Sequence, residues 1–346
     1  MKKLKVVIWG FGAMGKGMAE MLVEKEGVEV AGVCDLNPQL VNEDFREFLG
    51  FGTNHKKVIV TDDIDSILNP DVDIVLIATD SYTKKSYDKI VKVISKNINV
   101  ISSAEEMAYP YANEPKLAQK IDSLAKEHGV TVLGTGINPG FIMDYLVIAL
   151  TGVMMDVEKI EVSRVNSLSP FGPTVMEEQG VGISQDEFER RTQNNSLAGH
   201  VGFRESINMI ADALGVKLDG FNQQMKPIIS TVNRRSIHAE VQAGSIAGID
   251  MTAQGIVKDN VFIDMKHPQQ IEPEDEGIET GDYINLIGTP EVNMSIQPEI
   301  DGGIGTIAMC VNMIPHVINS KPGLKTMIDL PVPRAILGDI RNMIEK

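Results

Sequence analysis

The sequence predicts an α/β protein, with a doubly wound parallel sheet over the first 140 residues and a second region of α+β type after it. Three observations predict it. Short apolar segments alternate with helix-patterned ones up to residue 140, the rhythm of parallel strands with helices on both faces. A glycine-rich turn, Gly10-Phe-Gly12-Ala-Met-Gly15, directly follows the first apolar segment and opens the first helical one. Beyond residue 140, period-two alternation and hairpin signals take over.

The elements follow in order. Residues 5–9 (Lys-Val-Val-Ile-Trp) read as a buried strand. Met14, Met18, Met21 and Leu22 then recur at helical spacing until Gly27 stops the helix. Residues 28–34, 58–60, 73–79, 99–103 and 130–133 read as further strands, with helices near 83–96 and 115–128. Asn138-Pro139 is expected to open a connecting helix over roughly 140–150, because proline suits the first helical position. In the second region, residues 159–165 alternate like a strand. Ser184-Gln-Asp-Glu187 has the pattern of a capping box, and 201–214 reads as a helix ended by Gly215. Hairpins are expected at Lys258-Asp-Asn260 and Gly288-Thr-Pro290, so the second sheet should be largely antiparallel, with one face needing cover. Residues 306–318 return to a helical pattern behind the glycine-rich 301–305. The expected division is therefore a dinucleotide-binding domain of residues 1–140 plus about 306–346, and a substrate-binding and dimerisation domain of 141–305.

Charge narrows the partners. The 346 residues carry 48 acids and 32 bases, a net charge of −16, which disfavours nucleic acid and anionic membrane surfaces. Small molecules are the expected partners. No apolar run is long enough to span a bilayer and no secretory signal pattern opens the chain, so a cytoplasmic location is expected. Cys34 and Cys310 lack a CxxC partner and the six histidines lack ligand spacing, so neither disulfide nor metal is expected. Six acids (Glu272, Glu274, Asp275, Glu276, Glu279, Asp282) crowd one stretch without a base, which reads as a solvated loop.

The glycine turn carries the first chemistry. Gly10 allows the tight turn, Gly12 lets backbone approach a pyrophosphate, and Gly15 lets helix and strand pack. With Phe11, Ala13 and Met14 between them, they present a helix N-terminus to phosphate. Asp35, twenty positions past Gly15 at the end of the second strand, is placed to bind ribose hydroxyls. This is the Rossmann fingerprint, and the carboxylate favours NAD, with NADP left open. A turn that binds nothing is the plainer reading of a lone GxGxxG, which its strand, helix and acid together outweigh.

Ligands of such sheets gather at the carboxyl ends of the strands. There lie Thr79, Asp80, Ser103, Glu105, Glu106 and Asn138, with Thr79 and Ser103 beside the expected cofactor. A carboxylate at the end of the fifth strand suits proton abstraction. An acid interacting with a helix dipole is the equal alternative.

Trp9-Gly-Phe-Gly-Ala-Met-Gly15, Ser103-Ala-Glu-Glu-Met-Ala-Tyr-Pro110, Gly134-Thr-Gly-Ile-Asn-Pro-Gly-Phe141, Gly199-His-Val-Gly202 and Asn312-Met-Ile-Pro315 together resemble the family of 2,4-diaminopentanoate dehydrogenases and native amine dehydrogenases, related to dihydrodipicolinate reductase. The resemblance spans nearly the whole chain. It implies a homodimer that oxidatively deaminates (2R,4S)-2,4-diaminopentanoate with NAD(P), a step of ornithine fermentation. It also implies Glu105 as catalytic base and Asn138, Arg164, Asn166, Phe171, His267 and Thr306 as pocket residues. Position 171 is often tyrosine in relatives. Arg164 would hold a substrate carboxylate through its two-pronged guanidinium; the competing reading is a surface strand arginine paired with Glu161 or a neighbour. His267 would orient the amine, or cap a loop.

Other dehydrogenases fit less well. Polyol dehydrogenases of this plan carry Glu-Lys-Pro where this chain has Glu-Glu-Met, and neither the paired histidines and lysine of dihydrodipicolinate reductase nor the lysine of homoserine dehydrogenase is present. An NADH-sensing regulator without turnover remains the alternative from a different class.

Overall fold

The computed structural model describes residues 2–194 and 196–345. Two compact units emerge, one of residues 1–141 with 301–346 and the other of residues 142–300.

The first unit runs β1 (Leu4–Trp9), α1 (Ala13–Val23), β2 (Val28–Cys34), β3 (Val60–Thr61), β4 (Ile74–Ile77), α2 (Thr83–Ile94), β5 (Asn99–Ser102), α3 (Pro115–Glu127) and β6 (Thr131–Gly134). The second contains α4 (Tyr145–Thr151), β7 (Asp156–Ser167), α5 (Pro173–Glu178), α6 (Gln185–Gln193), α7 (Phe203–Ala213), β8 (Gly220–Ile229), β9 (Arg234–Arg235), β10 (Glu240–Val241), β11 (Ile246–Val257), β12 (Asn260–Gln270), β13 (Gly281–Thr289) and β14 (Val292–Ile296). The chain then supplies α8 (Gly302–Asn312), α9 (Ile314–Asn319) and β15 (Gly323–Lys325) to the first unit.

The first sheet has the order β15-β6-β5-β4-β1-β2-β3, and every pairing of its strands is parallel. All strands therefore end at one edge. Strands buried on both faces need continuous apolar runs, and β4 (Ile-Val-Leu-Ile) is buried throughout. Val7, Val75, Ile77 and Val100 pack with Ile90, Val93 and Ile94 of α2 and with Ile121 and Ala125 of α3. Each such isoleucine or valine contributes about 1.5–3 kcal/mol by leaving water. Cys34 and Cys310 are buried free thiols.

The second sheet has the order β14-β13-β7-β12-β11-β8, antiparallel except for β12 with β7. Lys258 and Asp259 both take positive φ, the backbone of a tight two-residue hairpin between β11 and β12. Along β7 and β12 one face changes character. Ile160, Val162, Ile263 and Met265 are buried and apolar, and further along the same face come Arg164, Asn166, His267 and Gln269, also buried. Successive strand side chains alternate faces, so this row is set by spacing of two.

Three expectations from sequence are corrected. The helix expected from residue 140 starts at Tyr145, where the Asp144 carboxylate accepts the first amide at 2.6 Å; Gly140 at φ +125° cannot belong to an α-helix. The helix expected from 306 begins at Gly302, capped by Asp301, which accepts from Ile304 N at 2.7 Å. A capping aspartate outweighs glycine's poor helix propensity there. The acidic stretch is not uniformly solvated: Asp282 is 2% exposed, and Glu276 pairs with the buried Arg234 at 2.6 Å. Strand β15 gave no readable signal, because three residues are too few for periodicity.

Candidate active site

The loop between β1 and α1 has the geometry a dinucleotide needs. Gly10 sits at φ +95°, and a side chain there would meet Ala78 O at 2.5 Å; one at Gly15 would meet Gly10 O at 1.8 Å. Gly12 faces open space, with nothing within 4 Å of where its Cβ would lie. It is the N-cap of α1, which has no side-chain cap and no acid in its first turn. Uncapped amides and an open approach fit a pyrophosphate. Asp35 follows β2 directly and accepts from Phe11 N at 2.5 Å and from Asn37 N at 2.7 Å, which fixes its carboxylate beside the glycine loop.

Phe11 itself is buried, its ring edge-on to Phe45 at 6.3 Å and Phe48 at 6.4 Å. Its backbone serves the loop while its side chain anchors it. Met14 lies on α1 next to Gly303 of α8, so the late helix braces the early one. Thr79 donates to Asp80 at 2.7 Å, and Asp80 is ion-paired with Lys89, which together hold its carboxyl below the usual range against its burial. Ser103 N donates to Ile77 O at 3.0 Å.

Glu105 opens a 3-10 turn (Glu105–Ala108) immediately beyond β5, at the sheet edge that also carries Gly10. Two contacts place that turn. Glu106 accepts from Thr83 N at 2.8 Å, tying it to the start of α2. Gly134 lets it pass close to β6, since a Cβ there would lie 2.0 Å from Met107 O. In the same unit, Thr306 on α8 accepts from Ile137 N at 3.2 Å, and both polar atoms of the Asn138 amide are buried without a partner among the described residues.

The second unit gathers Arg164, Asn166 and His267. Arg164 and Asp282, both nearly solvent-free, pair at 2.5 Å, and a second guanidinium nitrogen donates to Ile300 O. Glu161 pairs with Lys159, so the partner of Arg164 is its cross-strand neighbour Asp282, and the pair lies in the interior and not at the surface. A fork-to-carboxylate grip on substrate would displace one of its present partners. Burial pushes the Asp282 carboxyl up despite that arginine. His267 Nδ1 lies 2.8 Å from Arg164 O; a carbonyl only accepts, so this nitrogen carries the proton. Burial also pushes the His267 imidazole well below its usual pKa. Phe171 packs with the apolar cluster of Leu168, Met176 and Ile271.

Three contributors were missed from sequence. His200 lies edge-on to His267, ring centroids 4.8 Å apart, its pKa pushed down by burial to about 3. Gln269 shares the strand face of His267, which the spacing of two signalled. Asp282 belongs to the acidic run and gave no separate signal. Among the described residues no group of three or more His, Cys, Asp or Glu side chains could hold a metal ion, and no helix is long and apolar enough to cross a membrane.

A parallel sheet with an open glycine loop, a carboxylate fixed beside that loop at the end of β2 and a second carboxylate at the same edge fits a nicotinamide-dinucleotide-dependent oxidoreductase. Known proteins carry the assignment further. Residues 4–135 match the model of the oxidoreductase family with NAD-binding Rossmann fold, and residues 141–346 match that of the 2,4-diaminopentanoate dehydrogenase C-terminal domain. The chain is 55% identical to 2,4-diaminopentanoate dehydrogenase of Acetoanaerobium sticklandii, over 100% of this chain and 98% of that one. It is 24% identical to an amine dehydrogenase of Streptomyces virginiae, covering 96% and 98%. The amine dehydrogenase of Mycobacterium smegmatis shares its fold with a TM-score of 0.86 at 24% identity, covering 97% and 98%. The chain belongs to the 2,4-diaminopentanoate dehydrogenase family, and is an NAD(P)-dependent dehydrogenase acting on an amine.

Proposed function

We propose that the substrate is 2,4-diaminopentanoate, converted to 2-amino-4-oxopentanoate and ammonia as in ornithine fermentation, with Glu105 as the base. The observation that carries this reading is the Glu105 turn, held by Glu106 and Gly134 at the sheet edge of the cofactor loop. Gly10, Gly12, Gly15 and Asp35 would hold the dinucleotide, with Phe11, Ala13, Met14, Thr79 and Ser103 around it. Bound there, nicotinamide supplies a hydride acceptor.

An ammonium carbon cannot release hydride until nitrogen regains its lone pair. Glu105 takes one ammonium proton as the C–H electron pair departs, leaving an iminium beside the now neutral carboxyl. Once Glu105 has passed that proton to solvent, it takes one from the water that adds to the iminium carbon and returns it to nitrogen. The C–N bond then breaks to release ammonia as the carbinol O–H gives its proton to Glu105, leaving the ketone. Asn138, Arg164, Asn166, Phe171, His267 and Thr306 are the proposed substrate contacts. Asp35 favours NAD over NADP by repelling a 2′-phosphate. The test is NADH formation with a diamino acid, a simple amine and a polyol. NADH from the polyol alone, or from none of the three, overturns the reading.

The dimer has its own support. Opposite the helix-covered face of the second sheet, Glu161, Asp264, Lys266 and Tyr283 reach solvent around a cavity of about 210 Å³. A second copy of the chain covering this face, in the cytoplasm, completes the proposal. Sedimentation showing only monomer at micromolar concentration refutes it.

A further inference from the structure

The buried polar row on β7 and β12 holds two side-chain atoms that nothing in the protein satisfies. Asn166 Oδ1 and Gln269 Nε2 are each buried without a hydrogen-bond partner among the described residues. Their residues are 6% and 8% exposed, and they are register partners across the parallel β7·β12 pair. One unmet acceptor thus stands beside one unmet donor on one sheet face. An unpaired buried amide group is costly, so two in register call for a ligand that supplies the complements.

The surroundings state its charge. The Arg164 guanidinium is neutralised by Asp282, and burial holds His267 neutral. The face therefore has no net charge to offer. Glycine 248 brings β11 against the backbone of Gln269, with a Cβ there only 1.9 Å from Gln269 O, which fixes the strand that carries the amide.

The geometry points to Asn166 and Gln269 as the reader of a zwitterionic α-amino-acid group, Asn166 Oδ1 accepting from its ammonium and Gln269 Nε2 donating to its carboxylate. This assignment rests on the proposed reaction and deepens it. A neutral amide pair suits a group whose own charges cancel. Gln269, unassigned by sequence, becomes the residue that separates amino-acid amines from plain amines.

The experiment compares 2,4-diaminopentanoate with butane-1,3-diamine, the same chain without its carboxylate, in wild type, Gln269→Leu and Gln269→Glu. A hydrogen bond to a charged group corresponds to about a 10–100-fold effect. Gln269→Leu should raise KM for the diamino acid by that factor and leave the diamine unchanged. Gln269→Glu should reject the diamino acid further and favour the dication. Equal losses on both compounds, or unchanged discrimination, overturn the assignment. If wild type oxidises neither compound, the proposed reaction fails instead. Calorimetric binding of the diamino acid then still decides about Gln269, since equal affinity in wild type and Gln269→Leu removes its role.

Discussion

Arg164 donates to Asp282 at 2.5 Å across neighbouring strands β7 and β13, with neither side chain more than 3% exposed. The two residues are also register partners in that strand pair. Removing one partner strands the other charge in the interior, which costs about 3–5 kcal/mol. Asp282→Ala should lower the urea midpoint accordingly. The double replacement Arg164→Met with Asp282→Leu should recover most of that loss, and additive losses in the double variant would rule out a coupled pair.

Gly134→Ala tests the placement of the Glu105 turn. The new methyl collides with Met107 O, so the turn must move away from the sheet edge. A displacement of about 1 Å is expected to cost roughly 100-fold in kcat, while NADH affinity, measured by fluorescence titration, stays within twofold of about its original value. A variant with normal kcat would show that the turn does not position the base.

Glu105→Gln keeps the shape of that turn and removes its basicity. NADH binding should persist while turnover falls by about 10²–10⁴-fold. Near-normal turnover would remove Glu105 from the role of base.

Cofactor preference should follow Asp35. Its carboxylate holds Phe11 N and Asn37 N, and Asp35→Ser should improve NADPH affinity relative to NADH by at least about tenfold, by removing repulsion of the 2′-phosphate. Wild type that binds NADPH as tightly as NADH contradicts the premise.

Acid should destabilise the second unit. His200 titrates near 3 in the folded protein against 6.5 when free, because burial disfavours its charged form, and His267 shifts the same way. The unfolded chain then binds more protons between these values. Stability is fully present above about pH 6.5 and drains away as pH falls toward 3, by about 2 kcal/mol at pH 5 from His200 alone. Denaturation curves at the two pH values check this, and His200→Asn should flatten the dependence.

Much of the first unit was legible because its signals are local. The glycine turn, its strand and helix, and Asp35 lie within 35 residues, and each residue type has a mechanical reason to be there. The second unit and the segment leading into it were less so. Asn138-Pro139 looked like a helix start, but Asp144 provided the cap and Gly140 the break. Asp282 looked like one of six solvated acids until a neighbouring strand delivered Arg164 to it. Gln269 was hidden for the same reason: an amide in a strand acquires meaning only when register brings Asn166 beside it, and register is a property of two segments far apart in sequence.

The interrupted first unit has a consequence for synthesis. Its edge strand β15 and the helix α8 that braces α1 are made after the second unit, with Ile307 filling the space above Gly17. Residues 142–300 emerge from the ribosome entire before the sheet that precedes them can be finished. The nascent chain must therefore carry six of seven strands, their apolar edge uncovered, while the inserted unit folds. The glycine loop and Asp35 are thus made before the helix that braces α1, and a chain stopped at residue 300 should carry that loop on an unbraced helix.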